Sequence, residues 1–137
     1  MEKYLKANIV FSKFSRDYMK LKKDLPIRPS EMGVLNIITK REGLFTPIMI
    51  AELLEVTKPM IASHISVLEK KGYITKKYSE TDKRSFYVIP TDKAKKLVAE
   101  TESKLNTKLI NIEKKLGSKR FEELIVALEE AKSLLED

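Results

Sequence analysis

The side chains best suited to chemistry lie between positions 57 and 84, and that chemistry is recognition of a polyanion. Residues 57–74 read TKPMIASHISVLEKKGYI and are followed by TKKYSETDKR up to position 84. At 100° per residue, Ile61, Ile65 and Leu68 form one narrow apolar stripe. The opposite face carries Pro59, Ala62, Ser63, Ser66 and Lys70, with Met60 and Val67 to one side. An ordinary solvated helix would more often alternate Glu and Lys there. Small residues permit close approach to a DNA groove, hydroxyls reach base edges, and cations reach phosphates.

Catalytic chemistry lacks its parts. The single histidine, His64, has no partner nearby in sequence, and there is no cysteine, Gly-rich phosphate loop or GxSxG. The pairs Glu122-Glu123 and Glu129-Glu130 sit on a helix phased for packing and read as solvated. One histidine and no cysteine also leave no defensible metal-ligand spacing. Neither a cofactor nor a metal site is expected, and the chain does not read as an enzyme. Absence of cysteine excludes disulfides and thiol redox sensing.

The elements that position these residues are legible on either side. Thr57 is a helix cap with Pro59 in the first turn, and Gly72 is a helix stop. Two β-like runs, 73–78 and 85–89, follow, joined by a polar tip with Glu80, Asp82, Lys83 and Arg84. Upstream, Thr46-Pro47 repeats the cap-and-proline start and predicts a short helix over 47–54. A further helix opens at Ser30, or at Arg28 with Pro29 as its first residue, and stops near Gly43. Short helix, short turn and helix, then a hairpin, make a winged helix-turn-helix. Cations at such a tip (Lys83, Arg84) are placed to reach phosphates or a minor groove.

Long helices flank this unit. Tyr4, Ala7, Phe11, Phe14, Tyr18 and Leu21 form a stripe widened by Leu5, Ile9 and Val10, with Lys13, Arg16, Lys20 and Lys22 between. After Pro90, which ends the second strand, Thr91 caps a helix of more than twenty residues with a thin seam from Ala94 to Leu116. Gly117 ends it and Ser118 caps a last helix with Phe121, Leu124, Leu128 and Ala131 in phase. These helices have no evident core of their own. A second copy would supply one, and a twofold dimer would present two recognition helices about one DNA turn apart. The alternative is a monomer with the terminal helices folded back on the winged unit. The expected division is a dimerisation helix over 1–23, a winged helix-turn-helix over 29–90 and dimerisation helices over 91–137. The fold class is mainly α with a small β-hairpin wing.

Charge follows the same division. Within 57–96 ten Lys/Arg face four acids, whereas within 118–137 three face six, in a chain of net charge +7. A uniformly solvated lysine surface would not segregate in this way, and a polyanion-binding face would. No apolar run approaches the ~18 residues of a membrane span, and the charged N-terminus is not a signal peptide. A cytoplasmic protein is expected.

With this order in view, the chain resembles the MarR family of bacterial transcription regulators along nearly its whole length. The most specific residues are Leu68–Ile74 (LEKKGYI), then Asp82-Lys83-Arg84-Ser85, Val88 and Thr91. The resemblance implies that Asp82 braces the wing and that Arg84 enters the minor groove. It gives base contacts to Lys58, Pro59, Met60, Ala62, Ser63 and His64, beside which Thr57, Ser66, Lys70 and Lys83 complete the expected DNA face. Position 63, often Arg in the family, is Ser here, which removes a strong guanine contact. At the wing exit, Pro90 stands for a usual Leu and Ala94 for a usual Gly. The resemblance further implies a homodimeric repressor on a pseudo-palindromic operator, relieved by a small aromatic or anionic effector. The rival reading is a winged helix used for protein contact or nonspecific DNA packaging, which phosphate contacts alone would serve equally well.

Overall fold

The structure, a computed structural model, describes residues 1–20 and 24–136. Its order is α1 (Glu2–Lys20), α2 (Pro29–Lys40), α3 (Pro47–Leu54), α4 (Lys58–Lys70), β1 (Ile74–Tyr78), β2 (Phe86–Pro90), α5 (Asp92–Leu116) and α6 (Ser118–Leu135). This is the expected winged helix-turn-helix between long helices. Two compact units form, Met1–Glu100 and Thr101–Asp137, and α5 runs through the boundary. Leu21 and Lys22, assigned above to the α1 stripe and its polar face, lie outside the described residues, as does position 23.

Local chemistry sets each boundary of the winged unit. Arg28 is the N-cap of α2 and Pro29 its first residue, the second of the two starts open from sequence. The Glu31 carboxylate turns back to accept from the Arg28 N–H at 2.9 Å, satisfying a donor that the helix start leaves free. Thr46 and Thr57 cap α3 and α4, their hydroxyls accepting from Met49 N–H (3.4 Å) and Met60 N–H (3.3 Å). Between these helices Glu55 takes the left-handed conformation (φ 56°), a cost of about 1 kcal/mol for a residue with a Cβ. It makes possible the three-residue turn, in which Val56 N–H bonds Ala51 O at 3.0 Å. At the end of α4, Gly72 (φ 82°) closes a Schellman motif: its N–H bonds Glu69 O and that of Tyr73 bonds Leu68 O. Tyr73 is thereby held in the cap, and β1 begins one residue later than the sequence suggests.

The hairpin is antiparallel, with Ile74 opposite Pro90 and Tyr78 opposite Phe86. Pro90 was expected to stop the strand and is instead its last residue. In a two-stranded sheet its missing N–H can face outward, so no ladder bond is lost. Thr91 caps α5, accepting from Ala94 N–H at 3.3 Å while donating to Gly72 O at 2.8 Å. One hydroxyl therefore joins the exit of the wing to the end of α4. At the other long helix, Gly117 (φ 91°) takes the N-cap position, and Ser118 is the first helical residue rather than the cap.

One core serves the first unit. Leu35, Ile50, Leu68, Ile74, Val34 and Val88 are its largest fully buried side chains, drawn from α2, α3, α4 and both strands. The Val88 N–H bonds Phe45 O at 2.8 Å, tying the wing to the connection before α3. Among the described residues, α1 and α6 bury none.

Candidate nucleic-acid interface

Helix α4 presents two faces of different chemistry. Ile61, Ile65 and Leu68 are buried, as their spacing predicts. Thr57, Lys58, Pro59, Met60, Ala62, Ser63, Ser66 and Lys70 are all exposed, so these eight candidate site residues are brought onto one accessible helix.

His64 departs from that group. It is only 8% exposed and faces inward, with Nδ1 4.0 Å from Oε2 of Glu31, itself 2% exposed. The expected base contact from His64 is therefore corrected: a side chain in this position does not reach a base edge. Spacing of three from Ile61 and four to Leu68 already places it on the inner stripe, and its partner lies 33 positions away, beyond any local signal. Its Nε2 is buried with no hydrogen-bond partner among the described residues.

The wing tip is built by short side chains. Ser79 Oγ accepts from the N–H groups of Thr81 and Asp82, both at 3.3 Å. Asp82 accepts from Arg84 N–H through Oδ1 (3.0 Å) and from Ser85 Oγ through Oδ2 (3.3 Å). The backbone beneath Arg84 is thus fixed while its side chain is 96% exposed, with Nε 3.7 Å from Asp82 Oδ1. An ion pair so exposed adds little and breaks readily for a better partner. Lys83 is exposed beside it.

The cations of this region divide into two groups. Lys58, Lys70, Lys77, Lys83 and Arg84 are exposed. Three others are engaged within the protein. Lys71 Nζ donates to Pro26 O at 3.0 Å, Lys93 Nζ donates to Lys71 O, and Lys76 pairs with Glu69 at 3.4 Å while lying over the Phe86 ring. Lys71 O belongs to the C-terminal end of α4, where a cation also offsets the helix dipole. Sequence reasoning counted these lysines only as charge. Their structural role depends on segments brought together by folding.

Beside this face lies a cavity of about 690 Å³, bounded by Met19, Leu25, Ile27, Arg28, Glu31 and Val67 among others. Ser63 and Val67 of α4 and Lys71, its C-cap, form one i, i+4, i+8 row that borders it.

The MarR family model matches residues 25–85. No curated protein matches. Among solved structures, a point mutant of Staphylococcus aureus MepR aligns with a TM-score of 0.73 at 21% identity, covering 98% of each chain. Streptococcus pneumoniae FabT in complex with DNA aligns at 0.75 and 22% identity, over 99% of this chain and 95% of its own. CouR, a transcriptional repressor bound to a 23-mer DNA duplex, aligns at 0.75 and 20%, over 92% and 89%. At these identities the likeness is one of fold.

Proposed function

We propose, for a chain that belongs to the MarR family through residues 25–85, the function of a sequence-specific regulator of transcription that binds double-stranded DNA. The observation that carries this reading is the make-up of its exposed face. From position 57 to 68 there is no acidic side chain, and the wing holds out Arg84 on a backbone locked by Asp82. Such a face matches a phosphate-lined groove with a helix in the major groove and a cation in the minor groove. The DNA complexes of FabT and CouR, proteins of the same fold, support it.

The regulator acts as a cytoplasmic homodimer on a pseudo-palindromic operator and represses. Its apolar terminal helices support the dimer: Tyr4, Leu5, Phe11 and Phe14 of α1 are each more than half exposed, more than a lone soluble chain usually leaves on one helix. Among the described residues no helix is long and apolar enough to cross a membrane. The cavity bordering α4 supports relief by a small aromatic or anionic effector, because apolar walls (Leu25, Ile27, Val67) stand beside the cations Arg28 and Lys71.

Selection of random duplex DNA by the purified protein, with enriched sites retested at two salt concentrations, tests this reading. The expected result is a twofold-symmetric site with half-sites about ten base pairs apart. Tight binding at low salt without any enriched sequence would replace it with nonspecific DNA packaging or protein contact.

A further inference from the structure

We infer that the base this chain reads in the major groove is thymine, recognised through its C5-methyl group, with Met60 as the residue that determines that specificity. The inference rests on the DNA-binding reading above and goes beyond it, from groove to base.

Each base edge asks for a particular side chain. Guanine is read by Arg or Lys on O6 and N7, adenine by Asn or Gln on N6 and N7, and cytosine by a carboxylate on N4. From position 57 to 68 this helix has no Arg, Asn, Gln, Asp or Glu. The next acid, Glu69, is held by Lys76 at 3.4 Å. Burial takes His64 out of the set. Thr57 Oγ is engaged as the helix cap. Ser63 and Ser66 remain, but a hydroxyl donates and accepts alike and so discriminates weakly. What is left at the leading end of the helix is Lys58 and an exposed apolar group: Pro59, Met60 and Ala62.

The thymine methyl is the only apolar feature among the base edges of the major groove. Met60 suits it. The residue is 46% exposed and its side chain unbranched and polarizable, while its backbone N–H is pinned to Thr57 Oγ. Leaving so much apolar surface in water has a cost that burial against a methyl group recovers, about 0.8 kcal/mol per buried carbon unit or fourfold in affinity. Lys58, a compact and strongly hydrated charge, suits the neighbouring phosphate.

The test uses the full-length protein and the operator obtained by selection, resynthesised with uracil replacing thymine at one position at a time. Uracil keeps every hydrogen-bonding group and loses only the methyl. Binding should weaken about fourfold at one or two positions of each half-site. In Met60→Ala the uracil penalty at those positions should disappear while the dependence on salt stays as in the unaltered protein, a coupling that a merely structural role for Met60 would not produce. Guanine replaced by 7-deazaguanine at each position is the counter-test. A uracil series without effect, or a larger loss with 7-deazaguanine, would overturn the inference in favour of Lys58 reading guanine, with the regulator reading intact. Failure to enrich any sequence would remove the sequence-specific reading and this inference together.

Discussion

The winged unit and the terminal helices solve the problem of apolar surface in opposite ways. Every buried apolar side chain among the described residues falls between Ile27 and Val98. Within that span four helices and two strands share one core. Among the described residues, helices α1 and α6 carry in-phase apolar stripes and bury none, with Phe14 at 51% and Leu128 at 41% exposure. The core therefore lies in a module that is complete within one chain. The proposed homodimer would give the exposed stripes of α1 and α6 their partner.

Removing α6 should break that division most visibly. A chain truncated after Gly117 is expected to sediment as a monomer and to bind its operator at least about a hundredfold more weakly, because two linked half-site contacts become one. A folded dimer of this truncation would move the interface elsewhere and undo the comparison.

A matched pair of leucines sharpens it. Leu68 is fully buried, and Leu68→Ala should lower stability by about 2–5 kcal/mol at any protein concentration. Leu128→Ala should produce a loss that is present in concentrated samples and fades on dilution, as expected when the contact lies between chains. Urea unfolding at two concentrations a hundredfold apart separates the two. Equal behaviour would mean that the terminal helices are stabilised within a single chain.

The two regions also differed in what could be read from the sequence. The winged unit was legible because its boundaries are marked by residues with one backbone preference. Thr46-Pro47 and Thr57 with Pro59 start helices where expected, 47–54 is a helix as predicted, and Gly72 takes the positive φ that ends α4. What remained illegible depends on segments distant in sequence. Polarity kept His64 off the core stripe, and only the arrival of Glu31 from α2 makes its burial intelligible. Lys71 and Lys93 counted as free charge until folding brought backbone carbonyls to them. Gly117 rather than Ser118 caps α6 because a glycine at φ 91° can both end one helix and lead into the next.

Arg84 should have a smaller effect and one confined to the exposed face. Its side chain is 96% exposed and pairs with Asp82 at 3.7 Å, so Arg84→Ala should leave the urea midpoint unchanged. Binding should weaken on all sequences alike, and the slope of log affinity against log salt should fall by about one unit, as expected for one lost phosphate or minor-groove cation. An unchanged slope would remove Arg84 from the DNA face.

Among the described residues His64 carries a buried side-chain nitrogen without a hydrogen-bond partner, and it sets the smallest expected effect. Its imidazole is buried, its Nε2 has no partner among the described residues, and its Nδ1 stands 4.0 Å from Glu31, beyond hydrogen-bonding distance. An unsatisfied buried polar atom costs about 1–3 kcal/mol, whereas a leucine of similar volume would extend the stripe of Ile61, Ile65 and Leu68. Against that gain stands the loss of a polar neighbour for Glu31, which keeps the Arg28 N–H at 2.9 Å through its other oxygen. The balance favours His64→Leu being neutral or stabilising by up to about 1 kcal/mol, with operator preference unaltered, because position 64 faces inward. Urea unfolding and the uracil series on this variant read the two halves separately. A loss of stability above about 1 kcal/mol would mean that a bound water satisfies Nε2 in the native protein, and a changed base preference would return His64 to the recognition face.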